Sequence, residues 1–143
     1  AAGLPAPAGI VALSPWADFD STARLGDPAA ATEPYLAPQI LERVIDRHAR
    51  RFGRPHPSHC PMTADLRGLP PTLIQASSIE VLRRDAEGLA HRLAAAGVRT
   101  RLQLWADQVH VFQIATGLVP EATAAIDEIG RFALEVTGAG PSR

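Results

Sequence analysis

The sequence predicts an α/β fold in which parallel strands alternate with helices. Two short apolar runs, one from Gly9 to Leu13 and one at residues 72–76, are typical of parallel strands covered on both faces. A third run, Thr100–Trp105, alternates apolar and polar residues and indicates a less buried strand near a sheet edge. A segment with helical periodicity follows each run. The order strand–helix–strand–helix–strand–helix predicts a layered sheet with right-handed crossovers.

The first strand is followed by a long loop and then by a helix. Ser14 and Pro15 end the strand, and an irregular segment rich in proline, glycine and aspartate continues to residue 38. Loops of this length inside compact domains are usually functional or mobile. Residues 39–52 show helical periodicity with a charged face opposite an apolar stripe, and Gly53 ends the helix. The stripe consists of Ile40, Leu41, Val44, Ile45, His48 and Phe52.

The second and third strands are each followed by a further helix. One helix is predicted from about residue 84 to residue 96, where Gly97 provides the C-terminal stop. Its inward positions are Ala86, Leu89, Ala90, Leu93 and Ala94. Pro120 opens the last helix as a first-turn proline, with Glu121 at the positive helix end. The apolar face of this helix consists of Ile126, Ile129, Phe132, Ala133 and Val136.

Composition and charge exclude several classes of function. The formal net charge is −1, so nothing indicates nucleic acid or an anionic membrane as a partner. All 14 basic residues are arginine, and they form no run along the chain. The content of 46% hydrophobic and 20% charged residues is ordinary for a globular protein. No apolar run approaches the ~20 residues that a membrane span needs.

Cysteine usage and the N-terminal sequence give expectations about location and domain organisation. The single cysteine, Cys60, excludes an internal disulfide framework and fits a reducing, cytoplasmic environment. The N-terminus has no basic region followed by an apolar core, so we expect no signal peptide. The chain has no initiator methionine and no interior domain boundary. We therefore expect residues 1–143 to form a single partial domain, cut from something longer.

The loops that follow the three strands are where a ligand is expected. In open α/β sheets, ligands bind beyond the carboxyl ends of the strands. Three segments lie there, at residues 14–20, 77–81 and 106–111. Two aromatic residues of the first segment, Trp16 and Phe19, are either a pocket wall or plugs over the end of the sheet.

Glu80 and His110 are the candidate catalytic residues. Glu80 follows the second strand and His110 follows the third, so both leave neighbouring elements at the same sheet end. An acid beside a histidine at this position can orient the base of a nucleophilic triad. Two simpler interpretations stay open. Glu80 can be an acidic residue at a helix start, a role that Asp85 can serve equally well, and His110 can be a hydrogen-bonded loop histidine.

The other histidines are not interpreted as functional residues. His48 and His91 lie within helical patterns and are interpreted as packing or surface residues. His56, His59 and Cys60 lie close together, but no second ligand pair follows at a recognised zinc spacing, so we predict no metal site. We find no glycine-rich phosphate loop and predict no bound cofactor.

Residues 69–113, LPPTLIQASSIEVLRRDAEGLAHRLAAAGVRTRLQLWADQVHVFQ, resemble the carboxyl-terminal part of the hormone-sensitive-lipase-like family of α/β-hydrolase esterases. In that family a strand similar to PPTLIQ precedes the triad acid. A helix ending near AAGV, a further strand and the loop of the triad histidine follow. GIVALSPWADF resembles the strand after the nucleophile helix, and MTADLRGLPP resembles the approach to the acid strand. The resemblance covers nearly the whole chain and implies the carboxyl-terminal half of an α/β-hydrolase fold.

The resemblance assigns roles to particular residues of this sequence. Glu80 takes the position of the triad acid, where Asp is common and Glu is an accepted variant, and His110 takes the position of the base. Two residues depart from the family pattern. Ser77 stands where the family usually has glycine, and Arg84 stands where an acidic residue often precedes Asp85.

The nucleophile is absent from these 143 residues. Triad order in α/β hydrolases is Ser, then Asp or Glu, then His, so the G-x-S-x-G elbow and the HGG-type oxyanion motif should precede Ala1. Neither motif is present, and none of the serines has the flanking glycines of the elbow. The serines are Ser14, Ser21, Ser58, Ser77, Ser78 and Ser142. Ser77 and Ser78 are too close to Glu80 in the chain to occupy a separate strand-to-helix turn.

The resemblance implies a carboxylic ester hydrolase in the complete protein, with a small-molecule ester as its substrate and no cofactor. This chain would supply the acid and the histidine of a Ser–Glu–His triad. The alternative is a non-catalytic remnant that acts only as a binding or association module through the sheet edge beside GIVAL. An upstream segment with G-x-S-x-G, in the same molecule or gene neighbourhood, would distinguish the two.

Three expectations follow for the chain itself. A carboxylate oxygen of Glu80 should lie within hydrogen-bond reach of His110 Nδ1, at about 2.6–3.2 Å. The isolated chain should have no serine-type esterase activity. The strand from Gly9 to Leu13 should present an unpaired apolar edge. The chain should therefore be held by the missing amino-terminal half, or should self-associate through this edge.

Overall fold

The described residues form a three-stranded parallel sheet with helices on both faces. A computed structural model describes residues 5–19, 24, 26–33, 35–53 and 60–138. The strands are β1 (Ile10–Leu13), β2 (Thr72–Ser77) and β3 (Thr100–Trp105). They lie in the order β1-β2-β3, and both pairings are parallel. The predicted α/β class, with parallel strands alternating with helices, is confirmed.

Four α-helices and one 3₁₀ turn accompany the strands in the described part of the chain. The helices are α1 (Ala29–Thr32), α2 (Pro38–Phe52), α3 (Arg83–Ala95) and α4 (Pro120–Thr137), and the 3₁₀ turn is Phe112–Ala115. The predicted ends of α2, α3 and the strands agree with the structure to within one residue, but the sequence analysis missed α1 and the 3₁₀ turn. Among the described helices, none combines the length and the apolar character that crossing a membrane requires.

The central strand, β2, aligns the ends of its two neighbours. Thr72 lies opposite Ile10 on one side and Thr100 on the other, and all six residues of β2 are buried. Because the strands are parallel, their carboxyl ends meet at a single edge of the sheet. The three segments predicted at this edge therefore do emerge side by side.

One face of the sheet packs against α3. Ile74 and Ala76 of β2 lie in a buried cluster with Leu89 and Leu93 of α3. Of the α3 positions predicted to face inward, Ala86, Leu89 and Leu93 are buried. Ala94, also predicted to face inward, is exposed. This cluster is the largest in the described apolar core, and it also contains Ala17 from the loop after β1.

The opposite face of the sheet is joined to α4 by side-chain amides. Gln75 Nε2 donates to Gln103 Oε1 at 2.8 Å and to the Ala125 carbonyl oxygen at 2.9 Å. Gln113 Nε2 donates to Gln75 Oε1 at 3.0 Å, and Gln103 Nε2 donates to Glu128 Oε2 at 3.2 Å. A polar network thus spans β2, β3, the 3₁₀ turn and α4.

The face that α4 buries agrees only in part with the predicted one, since Phe132 is buried as predicted and Ile129 and Val136 are half-buried. Ala122, Ala125 and Phe132 are buried, whereas Ile126 and Ala133, both predicted to face inward, are exposed. The two alanines allow a close approach to Phe112, and the Ala125 carbonyl oxygen accepts the Gln75 amide. The helix is therefore rotated toward its small residues and away from Ile126.

The apolar stripe of α2 is mostly exposed within the described residues. Only Leu41 of the stripe is buried, and it packs against Val81 and Leu82 beside the acid turn. Val44 and Phe52 are 49% and 68% exposed. The helical periodicity was predicted correctly, and Leu41, near the start of the helix, supplies its buried contact with the acid turn.

Strand β1 is only half-buried. Val11 is 38% exposed, and no strand in the described part of the chain pairs with its outer edge. The expectation that this run is covered on both faces is therefore not met by the described residues. An open edge beside β1 is the arrangement that the sequence analysis expected.

Candidate active site

Glu80 and His110 meet at the carboxyl end of the sheet. Glu80 lies in the turn between β2 and α3 and is 1% exposed, whereas His110 lies in the loop after β3 and its side chain is 17% exposed. His110 Nδ1 is 3.2 Å from Glu80 Oε2. The contact is a hydrogen bond when Nδ1 carries the ring proton, which leaves Nε2 as a free acceptor. The expected contact between these two side chains is thus present.

Ser14, the residue that ends β1, links these two residues. Its hydroxyl donates to Glu80 Oε2 at 2.8 Å, and its oxygen accepts the backbone N–H of Val111 at 3.2 Å. Ser14 and Val111 both have positive φ angles, 44° and 52°. From the sequence, Ser14 is expected at the end of a strand, within the segment 14–20 at the ligand-binding edge of the sheet, but without a role in the acid–histidine pair. A serine directly after an apolar run gave no signal of this contact.

Two further serines tie the acid turn to the histidine loop. The Ser77 hydroxyl donates to the backbone carbonyl oxygen of Gln108, and Ser78 Oγ accepts the backbone N–H of Asp107 at 3.2 Å. Ser77 occupies the position where the resembling family usually has glycine. Its hydroxyl here joins two loops, so its small side chain is accommodated at the strand end.

Glu33 and Tyr35 belong to the site but were not found by the sequence analysis. Glu33 Oε1 accepts the backbone N–H groups of Tyr35 and Leu36, and Glu33 Oε2 accepts that of Val81 at 3.0 Å. The carboxylate therefore fastens the loop before α2 to the acid turn. The Tyr35 ring stacks on the His110 ring, with 6.5 Å between centroids and 29° between planes.

Asp85 anchors the loop that follows β1. It is 3% exposed and accepts the backbone N–H groups of Ala17 and Asp18 at 2.9 and 2.8 Å. The buried Arg24 donates to both Asp85 oxygens through Nη1, at 2.9 Å each. Asp85 lies in the first turn of α3, as predicted, but its contacts hold a distant loop. Glu80 is correspondingly directed toward His110.

Trp16 packs onto the acid turn. Its indole Nε1 donates to the Asp18 carbonyl oxygen at 2.7 Å, and it lies against the cluster of Leu41, Val81 and Leu82. Phe19 meets the Trp16 ring edge-on, with 5.9 Å between centroids. Of the two interpretations left open for this aromatic pair, these contacts favour plugs over the sheet end.

Arg84, the second departure from the family pattern, forms an ion pair. Its guanidinium Nε donates to Asp27 Oδ2, and Asp27 Oδ1 accepts the backbone N–H of Ala29 at 2.8 Å. Burial alone acts to raise the pKa of Asp27, but the Ala29 N–H and the nearby arginines outweigh it and hold the pKa below its ordinary 3.8. The changed charge at residue 84 is thus compensated within the long loop.

No metal centre is apparent in the part of the chain that the structure describes. In those residues no three His, Cys, Asp or Glu side chains come together as a metal site would require. Cys60 is a buried free thiol whose Sγ donates to the Ala17 carbonyl oxygen at 3.3 Å. The other two members of the H-x-x-H-C cluster, His56 and His59, lie outside the described residues.

The arrangement can accept a proton but does not itself offer a nucleophile among the described residues. Ser14 lies on the carboxylate side of the pair, where its hydroxyl is engaged with Glu80 Oε2. The hydroxyls of Ser77 and Ser78 are engaged with the histidine loop. Ser21, Ser58 and Ser142 lie outside the described residues. A nucleophile that gives its proton to His110 Nε2 would have to approach from the side of the ring opposite Glu80.

Comparison with known proteins agrees with this architecture. Residues 1–114 match the family described as the alpha/beta hydrolase fold. The chain is 36% identical to an acetyl-hydrolase of Streptomyces hygroscopicus, over 97% of this chain and 46% of that protein. It is 39% identical to the carboxylesterase/phospholipase LipF of Mycobacterium tuberculosis, over 92% of this chain and 37% of that protein. The chain thus spans less than half the length of these relatives.

A solved structure leads to the same family. An esterase from the bacterial hormone-sensitive lipase family superposes with a TM-score of 0.83 at 37% identity, over 91% of this chain and 44% of that one. The chain has three parallel strands, with an acid after the second and a histidine after the third. The proteins to which it is similar are an acetyl-hydrolase, a carboxylesterase/phospholipase and an esterase. The chain belongs to the α/β-hydrolase fold family, among the hormone-sensitive-lipase-like esterases.

Proposed function

We propose that this chain supplies the acid and the histidine of a Ser–Glu–His triad in a carboxylic ester hydrolase. The observation that carries the proposal is the 3.2 Å contact between Glu80 Oε2 and His110 Nδ1, made across the ends of neighbouring strands. The nucleophilic serine and the oxyanion donors would come from a segment outside these 143 residues. The printed names of the relatives, acetyl-hydrolase and carboxylesterase, support an ester as the substrate.

In the proposed reaction, His110 moves the protons and Glu80 orients it. The serine oxygen attacks the acyl carbon while His110 Nε2 takes the serine proton, and the imidazolium then returns it to the leaving alcohol. Water attacks the acyl-enzyme with the same histidine as base. Glu80 keeps the ring proton on Nδ1 and stabilises the imidazolium, since its carboxylate lies 3.2 Å from that atom.

Activity in a form of the protein that contains a G-x-S-x-G segment tests this proposal. We expect His110→Gln to lower kcat by several orders of magnitude, because the serine loses its base. The control is His91→Gln, at an exposed position on α3. Glu80→Gln should also lower kcat, and its control is Glu87→Gln, at a partly exposed glutamate of α3. Wild-type kcat in His110→Gln would refute the assignment.

The 143-residue chain by itself should be inactive. Losing the nucleophile of a triad costs on the order of 10⁶ in turnover. We therefore expect no hydrolysis of a short-chain nitrophenyl ester above the background of free imidazole, and no labelling by a fluorophosphonate. Stoichiometric labelling of any serine in this chain would contradict the proposed division of the triad.

The alternative function, an association module, is favoured by one specific observation. The outer edge of β1 has no strand partner among the described residues, and Val11 on this strand is 38% exposed. Unpaired edge strands recruit other chains. We propose that the chain associates through the edge from Gly9 to Leu13, either with its amino-terminal half or with a second copy.

Sedimentation of the purified chain tests the association. The wild-type chain should sediment as an oligomer at micromolar concentration. Val11→Lys should shift it toward monomer, since a charge on an edge strand opposes edge pairing. Leu134→Lys is the matched control, because Leu134 is 45% exposed on α4. A wild-type monomer that melts cooperatively, with no second chain present, would show this proposal to be wrong.

A further inference from the structure

Ser14 is the point at which the ends of all three strands are joined. It ends β1, its hydroxyl donates to Glu80 Oε2 after β2, and its oxygen accepts the N–H of Val111 in the loop after β3. The contacts with Glu80 and Val111 span 66 and 97 residues of sequence. Ser14 is also 4% exposed, so water cannot readily replace its hydroxyl.

We propose that Ser14 is a positioning residue that fixes the Glu80 carboxylate and the backbone of the His110 loop in the geometry of the acid–histidine pair. This inference rests on the proposed function of Glu80 and His110, and it adds a residue from the first strand to that site. Ser14 acts through Glu80 and Val111 and contacts no reacting atom.

The hydrogen bonding of the carboxylate supports this role. Among the described residues, Glu80 Oε1 is buried without a hydrogen-bond partner, and the side-chain contacts of the carboxylate are those of Oε2 with Ser14 and His110. A buried carboxylate needs donors to keep its charge and its orientation. Without the Ser14 hydroxyl, His110 alone would hold the group, and the carboxylate would turn toward other donors. The proton on His110 Nδ1 would then lose its fixed acceptor.

The backbone conformation of Ser14 indicates that the hydroxyl, rather than the turn, requires a serine. Its φ of 44° lies in the left-handed region, which glycine adopts without steric cost and other residues adopt at a penalty. If the position served only to turn the chain after β1, glycine would serve it better. Across the contact, Val111 also has a positive φ, 52°, and donates its backbone N–H to Ser14 Oγ.

Two substitutions of Ser14 separate the effect of the hydroxyl from the effect of the backbone conformation. Ser14→Gly removes the hydroxyl but relieves the backbone, whereas Ser14→Ala removes the hydroxyl and keeps the strain. The two variants should therefore differ in stability, with glycine the more stable. Both variants should lose the fixed position of the Glu80 carboxylate relative to His110. Ser78→Ala is the control, because Ser78 also joins the acid turn to the histidine loop but does not contact the carboxylate.

The first readout is the tautomer of His110, measured by nitrogen-15 NMR of the imidazole in the 143-residue chain. Wild type and Ser78→Ala should hold the proton on Nδ1. Ser14→Gly and Ser14→Ala should lose this preference, and an Nε2–H signal should appear. Retention of the Nδ1–H tautomer in Ser14→Gly would overturn the inference. Loss of it in Ser78→Ala as well would also overturn it, because any contact between the loops would then suffice.

The second readout separates this inference from the function on which it rests. Glu80→Gln should lose the Nδ1–H preference in the same NMR experiment. If it does not, the proposed role of Glu80 fails, and the role of Ser14 fails with it. If Glu80→Gln loses the preference and both Ser14 variants keep it, only the Ser14 inference fails. In an ester-hydrolysing form of the protein, Ser14→Gly should lower kcat about tenfold to a hundredfold with KM unchanged, as expected for one hydrogen bond to a charged group.

Discussion

Replacing Asp85 with alanine should destabilise the fold more than any other single change to an ionised side chain described above. Asp85 receives two backbone N–H groups and the Arg24 guanidinium, and both side chains of this ion pair are almost fully buried. The variant removes the acceptor of all these donors at once. The carboxylate is too deeply buried for water to take its place without reorganising the loop after β1.

The size of the effect follows from the charge left behind. Removing one partner of a buried ion pair costs ~3–5 kcal/mol, because the other charge stays buried and unpaired. Arg24 Nε and Nη2 already lack partners among the described residues, so loss of the Asp85 contact would leave the guanidinium, in that part of the chain, with the Trp16 ring, whose centroid lies 6.0 Å from Arg24 Cζ. We therefore expect the upper part of that range. Domains of this kind are stable by about 5–15 kcal/mol in total.

Urea unfolding of the 143-residue chain, followed by tryptophan fluorescence, measures the loss. With a slope of about 2 kcal/mol per molar urea, a loss in the upper part of that range should lower the midpoint of Asp85→Ala by about 2–2.5 M. Asp65→Ala, which breaks an exposed pair with Arg67, is the control and should leave the midpoint nearly unchanged.

The double variant Asp85→Ala/Arg24→Met distinguishes a stranded charge from a simple loss of packing. It should recover the part of the loss that comes from the unpaired charge, because no uncompensated charge then remains in the interior, but not the part that comes from the two backbone N–H groups that Asp85 accepted. A double variant no more stable than Asp85→Ala would refute the electrostatic reasoning. A midpoint shift below that of the Asp65→Ala control would refute the anchoring role of Asp85 altogether.

Three further results are expected from the same chain. Gly130→Ala should raise the free energy of unfolding by about 1 kcal/mol, since Gly130 lies inside α4 and an added Cβ meets no atom within 4 Å. Gly9→Ala should lower it by about 1–3 kcal/mol, because its Cβ would lie 2.9 Å from Val136 Cγ2; both are read from urea midpoints. Carbon-13 NMR should show Asp65 titrating with a pKa of about 2, lowered by its hydrogen bonds with Arg67. Arg67→Gln should return this pKa toward 3.8 and abolish the small loss of stability that occurs as the pH falls from about 4 toward 2.

The strands, the three long helices and the central pair of the site were predictable because their signals are local. The alternation or continuity of apolar residues marks each strand, and glycine or proline marks the helix ends. Glu80 and His110 could be paired before any coordinates, because each is fixed by its distance from the end of a strand. Parallel strands then bring both residues to the same edge.

The residues that hold this pair in place could not be predicted in the same way. Ser14, Glu33 and Asp85 act through partners 66, 48 and 68 residues away in the chain. Nothing in the local pattern around a loop serine or a loop glutamate specifies which distant backbone N–H it will meet. Asp85 illustrates this point, since its position at a helix start was predicted correctly while its buried contacts with Ala17 and Arg24 were not.

The glutamine network determines how α4 can sit on the sheet. An apolar interface tolerates sliding, because one methyl group can replace another at little cost, but an amide accepts only the partner that faces it. If α4 slid along the sheet, Gln75 Nε2 would lose the Ala125 carbonyl oxygen and keep only its bond to Gln103 Oε1, so one buried N–H of the amide would lose its acceptor. The docking position of the last helix is thus encoded chiefly by hydrogen bonds. A variant with leucine in place of Gln75 would be free to settle in several alternative positions along the sheet, even if it remained compact.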